Sequence, residues 1–228
     1  MSAARILILG AGGLGCPASL ALARTGSVRL TVVDDDVVEL SNLPRQRWHR
    51  TGDVGRPKVA SLAAHLAAAF PDIEVTPLHR RLTADEAPSL FAGHQVVIDG
   101  TDGPEGKFHF SDAALQAGVP LIHGGVLRWE GVAFPIIPGG PCLRCLFEVP
   151  PPPELTPTCA SAGVMGPMAG WVGAQQAQLA LQVLRDPGSL HPVHLHRFDG
   201  RRLRWRTTPL SPRPGCGCGA SPSGELRA

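Results

Sequence analysis

The chain has 228 residues and a hydrophobic fraction of 43%, enough for one sizeable core, which excludes general disorder. Lysine and arginine total 21 against 19 acidic residues, and a formal net charge of +2 gives no basic stripe for nucleic acid. No apolar run reaches the length of a bilayer span, and Met1 to Arg5 lead straight into a strand with no secretory signal, so a cytoplasmic protein with no membrane partner is expected.

Residues 5–9 read as an apolar strand that meets Gly10-Ala11-Gly12-Gly13-Leu14-Gly15, and a small-residue helix follows over 13–25. A second strand over 28–33 ends at Asp34-Asp35-Asp36. Pro57 stands where the next helix begins, and Val59, Leu62, Leu66 and Phe70 supply its apolar stripe. Residues 73–78 alternate weakly as a strand and 84–91 form a short helix. Residues 95–98 make a buried strand that delivers Asp99-Gly100-Thr101-Asp102 at its carboxyl end. A helix over 105–117 and a strand over 120–123 complete the alternation. Such a pattern predicts an α/β, Rossmann-like fold: a mostly parallel sheet, helices on both faces, and ligands beyond the strands' carboxyl ends.

Beyond Pro135 the chain is rich in proline and glycine and reads as more loop than element. Residues 128–137 are extended, and "PGGPCLRCLF" makes a tight cysteine turn. Residues 148–160, with four consecutive prolines, are expected to form an exposed, mobile loop of polyproline-like conformation. A long helix over 165–184 precedes C-terminal hairpin strands over 191–198 and 201–207, turning at Asp199-Gly200. Within "RRLRWR", alternation puts Arg202, Arg204 and Arg206 on one face and Leu203 and Trp205 on the other. A solvated face backed by core explains that pattern more simply than RNA binding does. No internal repeat is visible, and one domain is expected over 1–228, with an N-terminal half to residue 125 and a C-terminal half over 126–220.

Gly10-x-Gly12-x-x-Gly15 at a strand–helix junction lets a backbone approach a phosphate at a helix N-terminus. Alone, with Asp34 at the next strand end as a ribose ligand, it favours a nicotinamide or flavin enzyme. Arg45 and Lys58 change the balance, because cations beside the loop suit a reaction that builds charge on a phosphoryl group. Asp102 lies beyond the fourth strand, facing the same crevice, where a carboxylate can hold Mg²⁺ against phosphate oxygens. Taken singly, each is equally well a solvated charge or a cap. Six cysteines occupy positions 16, 142, 145, 159, 216 and 218. Cys142-x-x-Cys145 and Cys216-x-Cys218 form two close pairs that suit a structural Cys₄ zinc clip, with a redox dithiol as the alternative. One residue rather than two separates the second pair. Cys16 reads as packing, and His191, His194 and His196 as surface or core histidines.

The segments "GAGGLG", "VDDDVVELSNLPRQ", "GRPK", "IDGTD", "PCLRC", "TCASAGVMGP" and "PGCGC" occur in one order. Together they resemble the ThiF/MoeB/HesA family of the ubiquitin-activating-enzyme-like superfamily, from Arg5 to about Cys218. The resemblance implies an enzyme that uses Mg-ATP to adenylate the C-terminal glycine of a small ubiquitin-like sulfur-carrier protein ending in Gly-Gly. It implies that Gly10, Gly12, Gly13, Gly15, Asp34, Asp36, Asn42, Arg45, Lys58 and Asp102 bind the nucleotide. Asp102 would hold magnesium, and Cys142, Cys145, Cys216 and Cys218 zinc. Arg45, Lys58 and Asp102 take the catalytic roles, with Cys159 matching a reactive cysteine of the family. A homodimer is implied, as is a cysteine desulfurase or other sulfur donor as a further partner.

Two departures stand out. The family carries a helical N-terminal arm with an arginine that reaches a partner's ATP site, whereas this sequence begins four residues before its first strand, leaving Arg47 or Arg50 as substitutes. Gly103 stands where the family has asparagine. The sequence therefore leaves two other readings open: a catalytically weakened relative that binds a ubiquitin-like partner, and an NAD-dependent oxidoreductase.

Overall fold

The computed structural model describes residues 3–152 and 162–219. Its strands are β1 (Ala4–Leu9), β2 (Val28–Val33), β3 (Glu74–Leu78), β4 (Val96–Asp99), β5 (Leu121–Leu127), β6 (Glu130–Ile136), β7 (His194–Asp199) and β8 (Arg204–Pro209). They form one sheet in the order β3-β2-β1-β4-β5-β6-β7-β8. The first five in that order pair parallel and the last three are antiparallel additions. Its described helices are α1 (Gly15–Ala23), α2 (Lys58–Ala69), α3 (Ala87–Ala92), α4 (Pro104–Ala117), α5 (Leu143–Leu146) and α6 (Gly166–Arg185). Right-handed crossovers that run outward from β1 in opposite directions set α1 and α2 on one face and α3 and α4 on the other.

Strands covered on both faces read as continuous apolar runs rather than alternations. Ile6, Leu7 and Ile8 on β1 and Val96, Val97 and Ile98 on β4 are accordingly fully buried. β3 is an edge strand, which is why it accommodates Pro77. α6 packs across α1 and over β4, β5 and β6. It also carries Gln176, whose Nε2 donates to the carbonyls of Asp99 (2.7 Å) and Ile122 (3.0 Å) and so ties β4 to β5.

β5 runs to Leu127, four residues beyond the expected end at His123, because β6 pairs with it along its whole length. The C-terminal hairpin differs in its turn. Asp199 accepts the N–H groups of Arg201 (2.9 Å) and Arg202 (3.1 Å), which holds a four-residue connection over 200–203 in place of a tight turn at Asp199-Gly200. Leu203 therefore sits in the turn with φ 51° and is 78% exposed, not on the core face beside Trp205. Trp205 packs edge-on against Trp171 of α6 with ring centroids 4.7 Å apart, yet it stays 44% exposed, as β8 is exposed along its whole length.

Candidate active site

The strand order reverses between β1 and β4, and a crevice opens where their carboxyl ends part. A cavity of about 800 Å³ occupies it, lined by Gly10, Gly12, Gly13, Asp34, Asp36, Arg45, Lys58 and Asp102 among others. Gly10 turns with φ 91°, and a Cβ there would lie 3.0 Å from the Gly100 carbonyl oxygen. Gly15 does not line the cavity; it opens α1 beneath the loop, where a Cβ would collide with the Gly10 carbonyl. Gly15→Ala must push the loop off β1, and a loss of stability above the ~1–3 kcal/mol of ordinary overpacking is expected from chemical denaturation. In the first turn of α1 the Cys16 N–H bonds to the Gly12 carbonyl and that of Ala18 to the Leu14 carbonyl, each at 3.1 Å, and Pro17 has no N–H, so this turn offers an anion little beyond the glycine loop itself.

Asp34 ends β2 and accepts the N–H groups of Ala11 (2.6 Å) and Asp36 (2.8 Å). Burial raises its pKa, while those two N–H donors act in the opposite sense. Lys58 opens α2 with Nζ 2.7 Å from Asp36 Oδ2, so the cation is held at the cavity wall by an exposed carboxylate. Arg45 also lines the cavity, its guanidinium donating to the Ser41 carbonyl at 3.2 Å. Asn42 does not reach the cavity: it is buried behind this segment and donates to Ser41 Oγ at 3.3 Å. Arg47 and Arg50 are exposed and also stand off the cavity, whereas Arg80 and Arg81 line it from the loop after β3. Cys159 lies outside the described residues, as does most of the proline loop.

Three polar groups at the site carry no distinct sequence signal of their own. Gln46, the last residue of the quoted "SNLPRQ", is buried and lines the cavity beside Gly12. Lys107 on α4 also lines it and reaches Asp99 Oδ2 at 3.1 Å and the Gly124 carbonyl at 2.7 Å. Asp99 is fully buried, meets Thr101 Oγ1 at 2.6 Å and has His123 Nδ1 3.2 Å away. Burial alone would raise its carboxyl, yet the Lys107 ammonium, the His123 ring and the Thr101 hydroxyl hold it well below the usual carboxylate range. A depressed folded pKa contributes stability above the unfolded value and loses it as pH falls. Asp99→Asn is therefore expected to be less stable than wild type at neutral pH. Its melting temperature is expected to fall less steeply between about pH 5 and pH 2. Equal slopes would remove Asp99 from the acid response.

The four remaining paired cysteines converge. Cys142 caps α5, and its sulfur is 3.9 Å from that of Cys145 and 3.6 Å from that of Cys216. Cys145 and Cys218 sulfurs are 3.3 Å apart, and all four lie within 4.8 Å of one another. Tetrahedral zinc with Zn–S bonds of about 2.3 Å needs sulfurs about 3.8 Å apart, so the cluster has the dimensions of a metal centre. Both members of Cys216-x-Cys218 belong to it despite the short spacing. Cys16 is separate and buried under the glycine loop.

The ThiF family profile matches residues 1–219. A protein named SAMP-activating enzyme E1 from Haloferax volcanii is 41% identical over 212 residues, which cover 93% of this chain and 78% of that protein. The adenylyltransferase and sulfurtransferase UBA4 of Yarrowia lipolytica is 44% identical over 181 residues, covering 79% of this chain and 46% of that one. MOCS3 of Anopheles gambiae, with the same description, is 39% identical over 223 residues, covering 96% and 51%. This chain thus spans about half the length of those two relatives. The crystal structure of E. coli MccB with MccA-N7isoASN shares the fold, with a TM-score of 0.80 at 20% identity over 95% of this chain and 67% of that one. The profile spans the glycine loop, the strand-end carboxylates and the cysteine cluster alike, and the chain is a member of the ThiF family.

Proposed function

We propose that the chain adenylates the C-terminal glycine carboxylate of a small ubiquitin-like sulfur carrier. The observation that carries this reading is the convergence of Gly10, Gly12, Gly13, Asp34, Arg45, Lys58 and Asp102 on one cavity of about 800 Å³ at the strand ends. The names and identities of the relatives support it. A carboxylate is a poor electrophile at neutral pH. Its oxygen attacks the α-phosphorus of ATP, pyrophosphate leaves, and the acyl-adenylate is the activated product. Bringing two anions together is the main obstacle, and positioned cations are what lower it. In this reading Asp34 holds the ribose, the loop N–H groups and Lys58 hold phosphates, and Arg45 faces the charge that builds at phosphorus. Asp102 is the carboxylate that would hold Mg²⁺, which when bound neutralises phosphate charge. The four clustered cysteines would hold zinc with no open position, a structural role. Residues up to 125 serve the nucleotide and 126–220 the carrier and zinc. Cys159 keeps the reactive-thiol role implied by resemblance, and the proposal extends to a homodimer and to a sulfur donor such as a cysteine desulfurase.

ATP–pyrophosphate exchange stimulated by a Gly-Gly-ending carrier is the expected result. No exchange with any endogenous carrier overturns the proposal; carrier binding without exchange would identify a weakened relative instead.

A further inference from the structure

The peptide unit joining Ala11 to Gly12 is gripped from inside the protein. Its carbonyl, on Ala11, accepts from His49 Nε2 at 2.9 Å and from Cys16 Sγ at 3.1 Å. A trans peptide is planar, with its C=O and N–H pointing in opposite directions. A carbonyl turned inward to His49 therefore turns the Gly12 N–H outward, toward the cavity that Gly12 lines. The other ring nitrogen of His49, Nδ1, meets Ser61 Oγ on α2 at 2.9 Å. Ser61 is one turn of helix from Lys58, and the His49 N–H is bonded to the Gln46 carbonyl at 3.0 Å. One residue, 3% exposed, thus joins the glycine loop and the helix bearing Lys58 through its ring and the segment bearing Arg45 and Gln46 through its backbone N–H.

From this geometry we infer that His49 is a positioning residue: it aims the Gly12 N–H at a phosphate of the bound nucleotide and keeps loop and cations in one register. The inference rests on the nucleotide-binding reading above. A carbonyl only accepts, so the bond to Ala11 requires the proton on Nε2, with Nδ1 facing the Ser61 hydroxyl, which also bonds to Asp53. Burial lowers the ring's pKa and favours this neutral form. His49 touches no reacting atom, and its effect passes through the Ala11–Gly12 peptide.

The test measures displacement of a fluorescent ATP analogue by Mg-ATP and by adenosine, using the full chain. Wild type is measured first, and its failure to bind Mg-ATP would overturn the nucleotide reading rather than this one. His49→Ala is expected to weaken Mg-ATP binding about tenfold. Adenosine, which has no phosphate, should bind it as it binds wild type. In exchange assays the KM for ATP should rise more than kcat falls. His49→Gln, whose Nε2 can donate to the same carbonyl, should restore most of the loss. Unchanged Mg-ATP affinity in His49→Ala, or equal losses for ATP and adenosine, overturns the inference. Should that variant not fold, ¹⁵N spectra of wild-type histidines decide: the Nε2–H tautomer at His49 supports the inference and the Nδ1–H tautomer overturns it.

Discussion

Replacing Lys58 with alanine is expected to lower carrier-dependent ATP–pyrophosphate exchange by about 10²–10³-fold, the usual loss when one preorganised group facing transition-state charge is removed. The geometry separates that loss from damage to the fold. The Lys58 side chain is 8% exposed, but its partner Asp36 is 66% exposed and is left in water when the ammonium goes. An exposed carboxylate that loses its partner changes stability by less than about 1 kcal/mol. The melting temperature should therefore barely move while exchange collapses. Arg45→Ala is expected to act in the same direction, since its guanidinium makes an exposed hydrogen bond to the Ser41 carbonyl whose loss costs the fold little. Turnover that survives both substitutions would remove the charge-stabilising role assigned to this wall of the cavity.

Loss of metal from the cysteine cluster should have the opposite signature, a large effect on stability with little on chemistry. None of Cys142, Cys145, Cys216 and Cys218 lines the cavity at the strand ends. They join α5 to the segment beyond β8, some seventy residues apart in sequence. α5 is itself docked on α4 through Arg144, which donates to Asp112 at 2.8 Å and stacks over Phe108. Atomic spectroscopy should find about one zinc per chain, and Cys142→Ser or Cys218→Ser should remove it. A loss of about 4 kcal/mol corresponds to a fall in melting temperature of about 8–16 °C for a chain of this size. Cys16→Ser and Cys159→Ser should keep the metal. Full zinc occupancy in Cys218→Ser would show that the short Cys-x-Cys pair supplies only one ligand.

The two halves of the molecule differ in how far they can be read from sequence. β2 has the expected bounds, and β1, β3 and β4 lie within a residue of theirs at each end. Their buried runs, such as Ile6 to Leu9, carry a periodicity that depends only on neighbours along the chain. The C-terminal hairpin did not follow so simply. Alternation placed Leu203 with Trp205, but the Asp199 carboxylate, bonded to two backbone N–H groups, widened the turn and took Leu203 out of the strand. Side chain-to-backbone bonds of this kind compete with the ladder locally and leave no periodic trace.

The site divides the same way. Glycine spacing, the carboxylates at strand ends, Arg45 and Lys58 stand at junctions that a strand–helix pattern locates by itself. Asn42 belongs to the same motif, and its amide bonds to the neighbouring Ser41 without lining the cavity. Lys107, Asp99 and His123 meet from α4, β4 and β5, and His49 reaches Ala11 from 38 residues away. What the sequence determined alone is the alternation of elements, the nucleotide loop and the cysteine pairs, because each is set by contacts within one turn or one strand. Only the tertiary structure decided which charges are buried together, which cysteines close into one cluster and which way the Ala11–Gly12 peptide faces. Those depend on groups distant in sequence and on hydrogen bonds made strong by the absence of water.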